Sequence, residues 1–384
     1  MPANFSSEAF DRRASDSHPT AHFDPVSSPD APIIGSADDE LPSYDQLAIP
    51  AFAASDLASA QPSIHSVSLS GDQRIDGLIN GQAWNGTTLT YSFPYMSLSY
   101  ERFYGTYYDE PHSYGFNQLS TQMQYVMKAV FEGTVSGSGT GVMAYGSFES
   151  LTNMNFEYVG SSTADLRIAH SYWPDAAWSY FPSTAGYGGD IWLGNLSDFD
   201  NPRPGSWGYV TGIHEAGHAL GLKHPHEYGS AYPYTSPLST DWDTLEFTVM
   251  SYRSFEGAST STGYSNEDYG FPTTPMMLDI AALQQLYGAD YSTYSGNTVY
   301  RWSETTGEMF VDGAGQGTPG ANRIFLTIWD GGGHDTYDMS NYGNAVTIDL
   351  TPGKWSTTST SQLANLDAYF GTDVHARGNV FNAL

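Results

Sequence analysis

The chain contains no cysteine, which excludes disulfide bridges, thiolate metal sites and cysteine nucleophiles. Basic residues are scarce too: 13 Lys and Arg stand against 42 Asp and Glu, a formal charge of −29. A surface of that sign repels nucleic acid and anionic membranes and suits a hard cation such as calcium. No apolar run approaches the ~18 residues of a membrane span. Met1 to about Thr20 lacks the charged-then-apolar layout of a classical secretory signal. If the protein leaves the cell, it is expected to do so by a route that relies on neither that signal nor disulfides. At 384 residues the chain is long enough for two or three structural units and a sizeable core.

What the sequence does hold is concentrated in Ile213-His214-Glu215-Ala216-Gly217-His218-Ala219-Leu220-Gly221-Leu222-Lys223-His224-Pro225. On a helix His214 and His218 are i and i+4, so their imidazoles lie one turn apart on the same face, within reach of one ion. Gly221 is where that helix should stop, because a left-handed residue costs least as glycine, and the reversed chain can return His224 to the same ion. Three neutral nitrogens leave a fourth position for water, the mark of catalytic rather than structural zinc. Glu215 lies near the ligand face without being forced to ligate. Zinc lowers the pKa of a bound water to roughly 7, so a carboxylate there can take its proton and pass it to a leaving amine. The combination reads as metal-assisted hydrolysis of a peptide bond. A core helix with histidines at this spacing is the alternative, and Gly221 and His224 at their offsets argue against it.

From Met1 to about Ser70 the chain is rich in Ser, Ala, Pro and Asp without a sustained period, and reads as disordered or loosely docked. Leu89 to Phe93 reads as a strand stopped by Pro94. Leu119, Met123, Val126, Met127 and Val130 predict an amphipathic helix over Asn117 to Phe131, and the Gly/Ser-rich run from Gly133 to Gly141 a surface loop. Ala164 to Ala169 reads as a short alternating strand. Ala177 to Phe181 and Gly189 to Leu193 read as two more. Thr274 and Pro275 predict the cap and first turn of a last helix that Gly288 ends.

The extended motif resembles that of the metzincin metallopeptidases, and Pro225 after the third histidine is similar to the serralysin family, the secreted bacterial zinc endopeptidases. The resemblance covers about Ile75 to Leu384 and is close over Met276 to Gln284. It implies an α+β fold: a peptidase domain with a mixed five-stranded sheet, a long first helix and a zinc helix, then a β-rich tail that begins but does not complete a β-roll. It implies residues 1–70 as a tail or propeptide, 71–290 as the peptidase domain and 291–384 as the incomplete roll. Met250 matches the methionine turn beneath the ligand histidines. Tyr252 matches a tyrosine that can ligate the resting zinc and then stabilise the oxyanion. Ala177, Trp178, Ser179 and Tyr180 match the sheet edge along which an extended peptide pairs. Asp330, Gly332, Gly333 and Asp335 match a calcium loop, the alternative being a glycine-rich hairpin.

The chain departs from the family in having no run of G-G-x-G-x-D repeats after Asp335 and in carrying Phe381 where the family has a calcium-binding glutamate. On the same comparison with the family pattern, its C-terminal secretion signal is not expected within this sequence. The expected protein is a monomeric, extracellular zinc endopeptidase acting on proteins or peptides, with one catalytic zinc and structural calcium. A catalytically idle zinc- and calcium-binding module and a fragment of a larger protease of the same kind stay open beside it. The intact Glu215 argues against the idle module.

Overall fold

The computed structural model describes residues 62–100, 111–133, 145–160, 164–369 and 371–384. The expected surface loop after Gly133 and the N-terminal segment before residue 62 lie outside them. The last residues of that segment are not irregular as expected: strand β1 (Ile64–Ser66) pairs antiparallel with β2 (Gln82–Trp84), and Val67 is buried against the core. Between them the single turn α1 (Gln73–Asp76) starts at Asp72, whose carboxylate accepts from Arg74 N.

Next come β3 (Thr88–Ser92), α2 (Thr121–Glu132), α3 (Phe148–Leu151), β4 (Asn155–Tyr158), β5 (Leu166–Ser171), β6 (Ala177–Ser179) and β7 (Ile191–Gly194). The strands form one five-stranded sheet in the order β4-β3-β5-β7-β6, parallel except for β6, which runs antiparallel to β7 at the edge. This is the mixed sheet that the resemblance implied. The expected alternation of β5 is corrected: all its residues are buried, as in an inner parallel strand covered on both faces. Its charged member misleads a pattern search. Arg167 is fully buried because its Nε and Nη2 donate to the Asp190 carboxylate at 2.8 and 2.7 Å.

Helix α2 begins at Thr121, with the Ser120 hydroxyl accepting from Met123 N, and ends at the left-handed Gly133. Leu119 is buried but precedes the helix, so its expected start at Asn117 is corrected by the cap. Met123 and Met127 lie against Gly212 of α4 (Trp207–Ala219), where a Cβ would come within 2.8 Å of Met123 Cε. That close approach sets the zinc-motif helix on the core.

The last helix, α5 (Met277–Tyr287), starts later than Thr274 and Pro275 predicted. Asp279 serves its first turn by accepting from Met276 N at 2.8 Å, while Thr274 Oγ1 accepts from Thr327 N in the following segment. Gly288 ends the helix as expected.

The rest is β-rich: β8 (Val299–Trp302), β9 (Met309–Val311), β10 (Ala314–Gly315), β11 (Leu326–Ile328), β12 (Thr336–Asp338), β13 (Trp355–Ser356) and β14 (Val380–Asn382). They make two sheets, β10-β9-β8-β12 and β11-β14-β13, and the pairs β8/β12 and β11/β14 are parallel. Phe381 is fully buried between Phe325 and Trp355, so aromatic packing holds that position. Side chains tie this tail to the preceding residues. Tyr145 Oη donates to Trp329 O at 2.7 Å, Arg323 grips Glu267 with two nitrogens, and Arg377 N donates to the buried Glu246 carboxylate at 2.7 Å.

Candidate metal centre

Helix α4 presents His214 and His218 one turn apart, their rings nearly perpendicular with centroids 4.7 Å apart. The helix stops where Gly221 takes φ +104°; any side chain there would also drive a Cβ to 2.6 Å from Gln82 O. The chain then runs back beside residues 78–80, with Asn80 N donating to Gly221 O and Lys223 N to Leu78 O. This short ladder delivers His224, whose Nε2 lies 3.1 Å from that of His214 and 3.0 Å from that of His218. All three sequence-predicted ligands therefore meet at one point, and all are buried.

The donor chemistry fits a cation. His214 Nδ1 lies 2.8 Å from Val249 O and His218 Nδ1 2.7 Å from Leu222 O, so each Nδ1 carries the proton. His224 Nδ1 faces a Glu227 carboxylate oxygen at 3.2 Å, which favours the same tautomer. The three Nε2 lone pairs then point at one another, repulsive unless a positive ion lies between them. Two nitrogens bound to a tetrahedral zinc at about 2.0–2.1 Å are about 3.3 Å apart, close to the spacing seen. Burial, followed by the neighbouring imidazoles, holds all three pKa values well below the usual histidine range, so the rings are neutral as ligation requires.

Met250 is fully buried, and a Cβ on Gly217 would come within 2.8 Å of its sulfur; the glycine inside the histidine motif makes room for the thioether. The turn bearing Met250 is pinned from behind. Asp279 accepts from Val249 N at 2.8 Å and from Thr248 Oγ1, and burial pushes its pKa up to about 7. The peptide that Asp279 holds by its N–H is the one next to the carbonyl that orients His214. Tyr252 packs on the ligands, its ring centroid 4.3 Å from that of His224 and 6.1 Å from that of His214.

Glu215 is fully buried on α4. Its Oε2 accepts from Ser179 Oγ of the edge strand at 2.8 Å. The strand itself is shorter than Ala177 to Phe181 predicted: pairing ends at Ser179, though Tyr180 N still donates to Asp190 O at 3.0 Å. Ala177, Trp178 and Ser179 are all buried.

Sequence reasoning missed two supports. Lys223, inside the motif, turns inward and its ammonium donates to the carbonyls of Gly77, His224 and Glu227, with burial lowering its pKa to about 8. Glu227 was equally unremarked, although a carboxylate three residues beyond a ligand histidine is a readable signal for second contacts. The Ser179 hydroxyl was noted only as part of a strand; its contact depends on sheet register, which spacing does not carry.

At the expected calcium loop, Gly332 and Gly333 take φ +148° and +132°, and a Cβ on Gly333 would overlap Gly296 O at 1.9 Å. Tyr300 Oη donates to Asp330 Oδ2 at 2.5 Å, and Thr298 N donates to Asp335 Oδ1 at 3.0 Å. Burial raises the Asp330 pKa, and the Asp335 carboxylate beside it adds to the rise. The two carboxylates therefore border one cavity of about 620 Å³ that His334 and Tyr337 also line.

Residues 289–362 match the family described as Peptidase M10 serralysin C terminal. Among curated proteins, the chain is 37% identical over 188 residues to metallopeptidase AprA of Pseudomonas marginalis, covering 47% of this chain and 38% of that protein. It is 36% identical over 183 residues to serralysin C of Dickeya chrysanthemi, covering 47% and 36%. Against serralysin of Proteus mirabilis it is 29% identical over 293 residues, covering 71% and 55%. The chain thus spans about half or less of the length of the curated relatives it matches.

Proposed function

Because this chain belongs to the serralysin family of M10 metallopeptidases, we propose that it is a zinc-dependent endopeptidase in which Glu215 takes a proton from the attacking water and returns it to the leaving amine. The observation that carries the reading is the convergence of three buried imidazole nitrogens beside a buried carboxylate on one helix. His214, His218 and His224 would hold the zinc. When bound, the ion polarises the scissile carbonyl and acidifies water. The protein residues do the rest. Val249 and Leu222 carbonyls aim the His214 and His218 rings, Met250 fills the space beneath them, and β6 offers its outer backbone edge to an extended substrate. Secretion to the extracellular space and action on proteins or peptides go with the same reading; no helix among the described residues is long and apolar enough to cross a membrane. Casein cleavage should stop with a chelator and return with added zinc. Cleavage indifferent to the chelator would remove the metallopeptidase reading.

Tyr252 is assigned oxyanion stabilisation, from its place against His224 and His214. Removing one such donor typically costs ~10²–10³ in turnover. Tyr252→Phe is expected to fold normally and lose turnover on that scale, with KM changed less. Wild-type turnover in this variant would leave Tyr252 a packing residue.

Calcium is assigned to the turn bounded by Asp330 and Asp335, with Gly332 and Gly333 placing the backbone between them. A ligand that binds only the folded state stabilises it by RT ln(1 + [L]/Kd), about 2.7 kcal/mol at a hundredfold excess over Kd. Millimolar calcium should therefore raise Tm, and Asp335→Ala should erase most of the rise while zinc content is unchanged. A melting curve indifferent to calcium would reduce the loop to a glycine hairpin.

A further inference from the structure

We propose that Ser179 is a positioning residue for the proton carrier: through its hydroxyl, the strand that borders the substrate edge fixes the Glu215 carboxylate. The proposal rests on the reading of Glu215 given above. Ser179 Oγ donates to Glu215 Oε2 at 2.8 Å. Ser179 is 1% and Glu215 0% exposed, so bulk water does not compete for the bond. With water excluded, a hydroxyl-to-carboxyl hydrogen bond of this length holds both side chains in place.

The placement of the hydroxyl is rigid. Ser179 faces Ile191 in the β6/β7 ladder, and its neighbour Tyr180 is anchored to Asp190 O, so sheet register sets the hydroxyl position. Serine has one side-chain torsion to fix, whereas glutamate has three, and a helix alone does not choose among them. The bond to Ser179 ties Oε2 to one of them. β6 is also the edge strand; no other strand among the described residues pairs with its outer side. One three-residue strand thus carries two functions: its edge aligns the backbone of an extended peptide, and the Ser179 side chain aligns the base. Any shift of β6 that moves the substrate moves Glu215 with it, which keeps the two in register during turnover.

The test measures kcat and KM on a peptide substrate for Ser179→Ala and Ser179→Thr, with zinc content and Tm. Removing one partner of a buried hydrogen bond costs roughly tenfold to a hundredfold. Ser179→Ala should lose kcat on that scale with KM within about twofold of wild type, full zinc and little change in Tm; Ser179→Thr should recover most of the loss. If the threonine methyl lowers Tm, the double variant Glu215→Asp/Ser179→Ala decides. It should be no slower than Glu215→Asp alone, because the shortened carboxylate no longer reaches the hydroxyl. An equal loss in both backgrounds, or wild-type kcat in Ser179→Ala, overturns the proposal. Glu215→Ala measured in parallel separates the two readings: if it is dead while Ser179→Ala is fully active, only the role of Ser179 falls, and if it is active, the proton-carrier reading and this proposal fall together.

Discussion

Glu215→Ala is expected to lower peptide turnover by about 10²–10⁴ while the protein keeps its zinc. The side chain is buried on α4 between two ligand positions, yet it is not one of the three groups whose nitrogens converge. Its loss takes away proton transfer to and from the reacting groups and leaves the donor set intact. The variant also removes a buried carboxyl group and leaves the Ser179 hydroxyl without this acceptor, so a change in Tm is expected as well. Zinc by elemental analysis beside kcat separates the two effects. Turnover above a few per cent of wild type would remove Glu215 from the chemistry, and zinc loss in step with activity would make it a ligand.

The second large effect belongs to His224→Ala. Catalytic zinc sites hold the ion by three protein ligands, and here the third comes from a loop rather than from the helix. Without it, His214 and His218 remain in place, held by Val249 O and Leu222 O, but two imidazoles make a poor zinc site. Zinc should fall well below one ion per chain, and hydrolysis should fall with it. The fold should persist, because the turn is held independently by Gly221, the backbone bonds to Leu78 and Asn80, and Lys223. Full zinc occupancy in this variant would mean that the third ligand lies elsewhere. Loss of folding would mean that the ligand loop is organised by the metal instead of by the backbone.

The convergence of the three histidines was legible in the sequence because their geometry is local. A helical turn spaces His214 and His218, and one glycine with positive φ brings back His224; eleven residues carry the whole construction. The mixed sheet and the methionine turn came by resemblance, since Met250 meets Gly217 only through a long-range fold. What stayed hidden depends on register or on buried charge. β5 looked alternating because Arg167 reads as an exposed residue until Asp190 is known to meet it inside. The start of α5 was misplaced because Thr274, a fair cap by type, is used by Thr327 of the tail, and Asp279 took over the helix start. The contact of the Ser179 hydroxyl and the inward turn of Lys223 were out of reach for the same reason: their partners, Glu215 and the Gly77 carbonyl, are far away along the chain.

The contacts across the start of the tail bear on how this protein can be rebuilt. Trp329 shares two hydrogen bonds with Tyr145, Thr327 uses Thr274, and Arg377 answers a buried Glu246 that lies four residues before Met250. Each bond crosses the place where a protein engineer would cut to isolate the metal-centre region. A chain ended after Tyr287 would not be a smaller version of the same fold. It would carry a stranded acid close to the floor of its metal site and a raw apolar seam open to aggregation. Exchanging tails between relatives as if they were cassettes should fail for the same reason unless the matching residues travel with them.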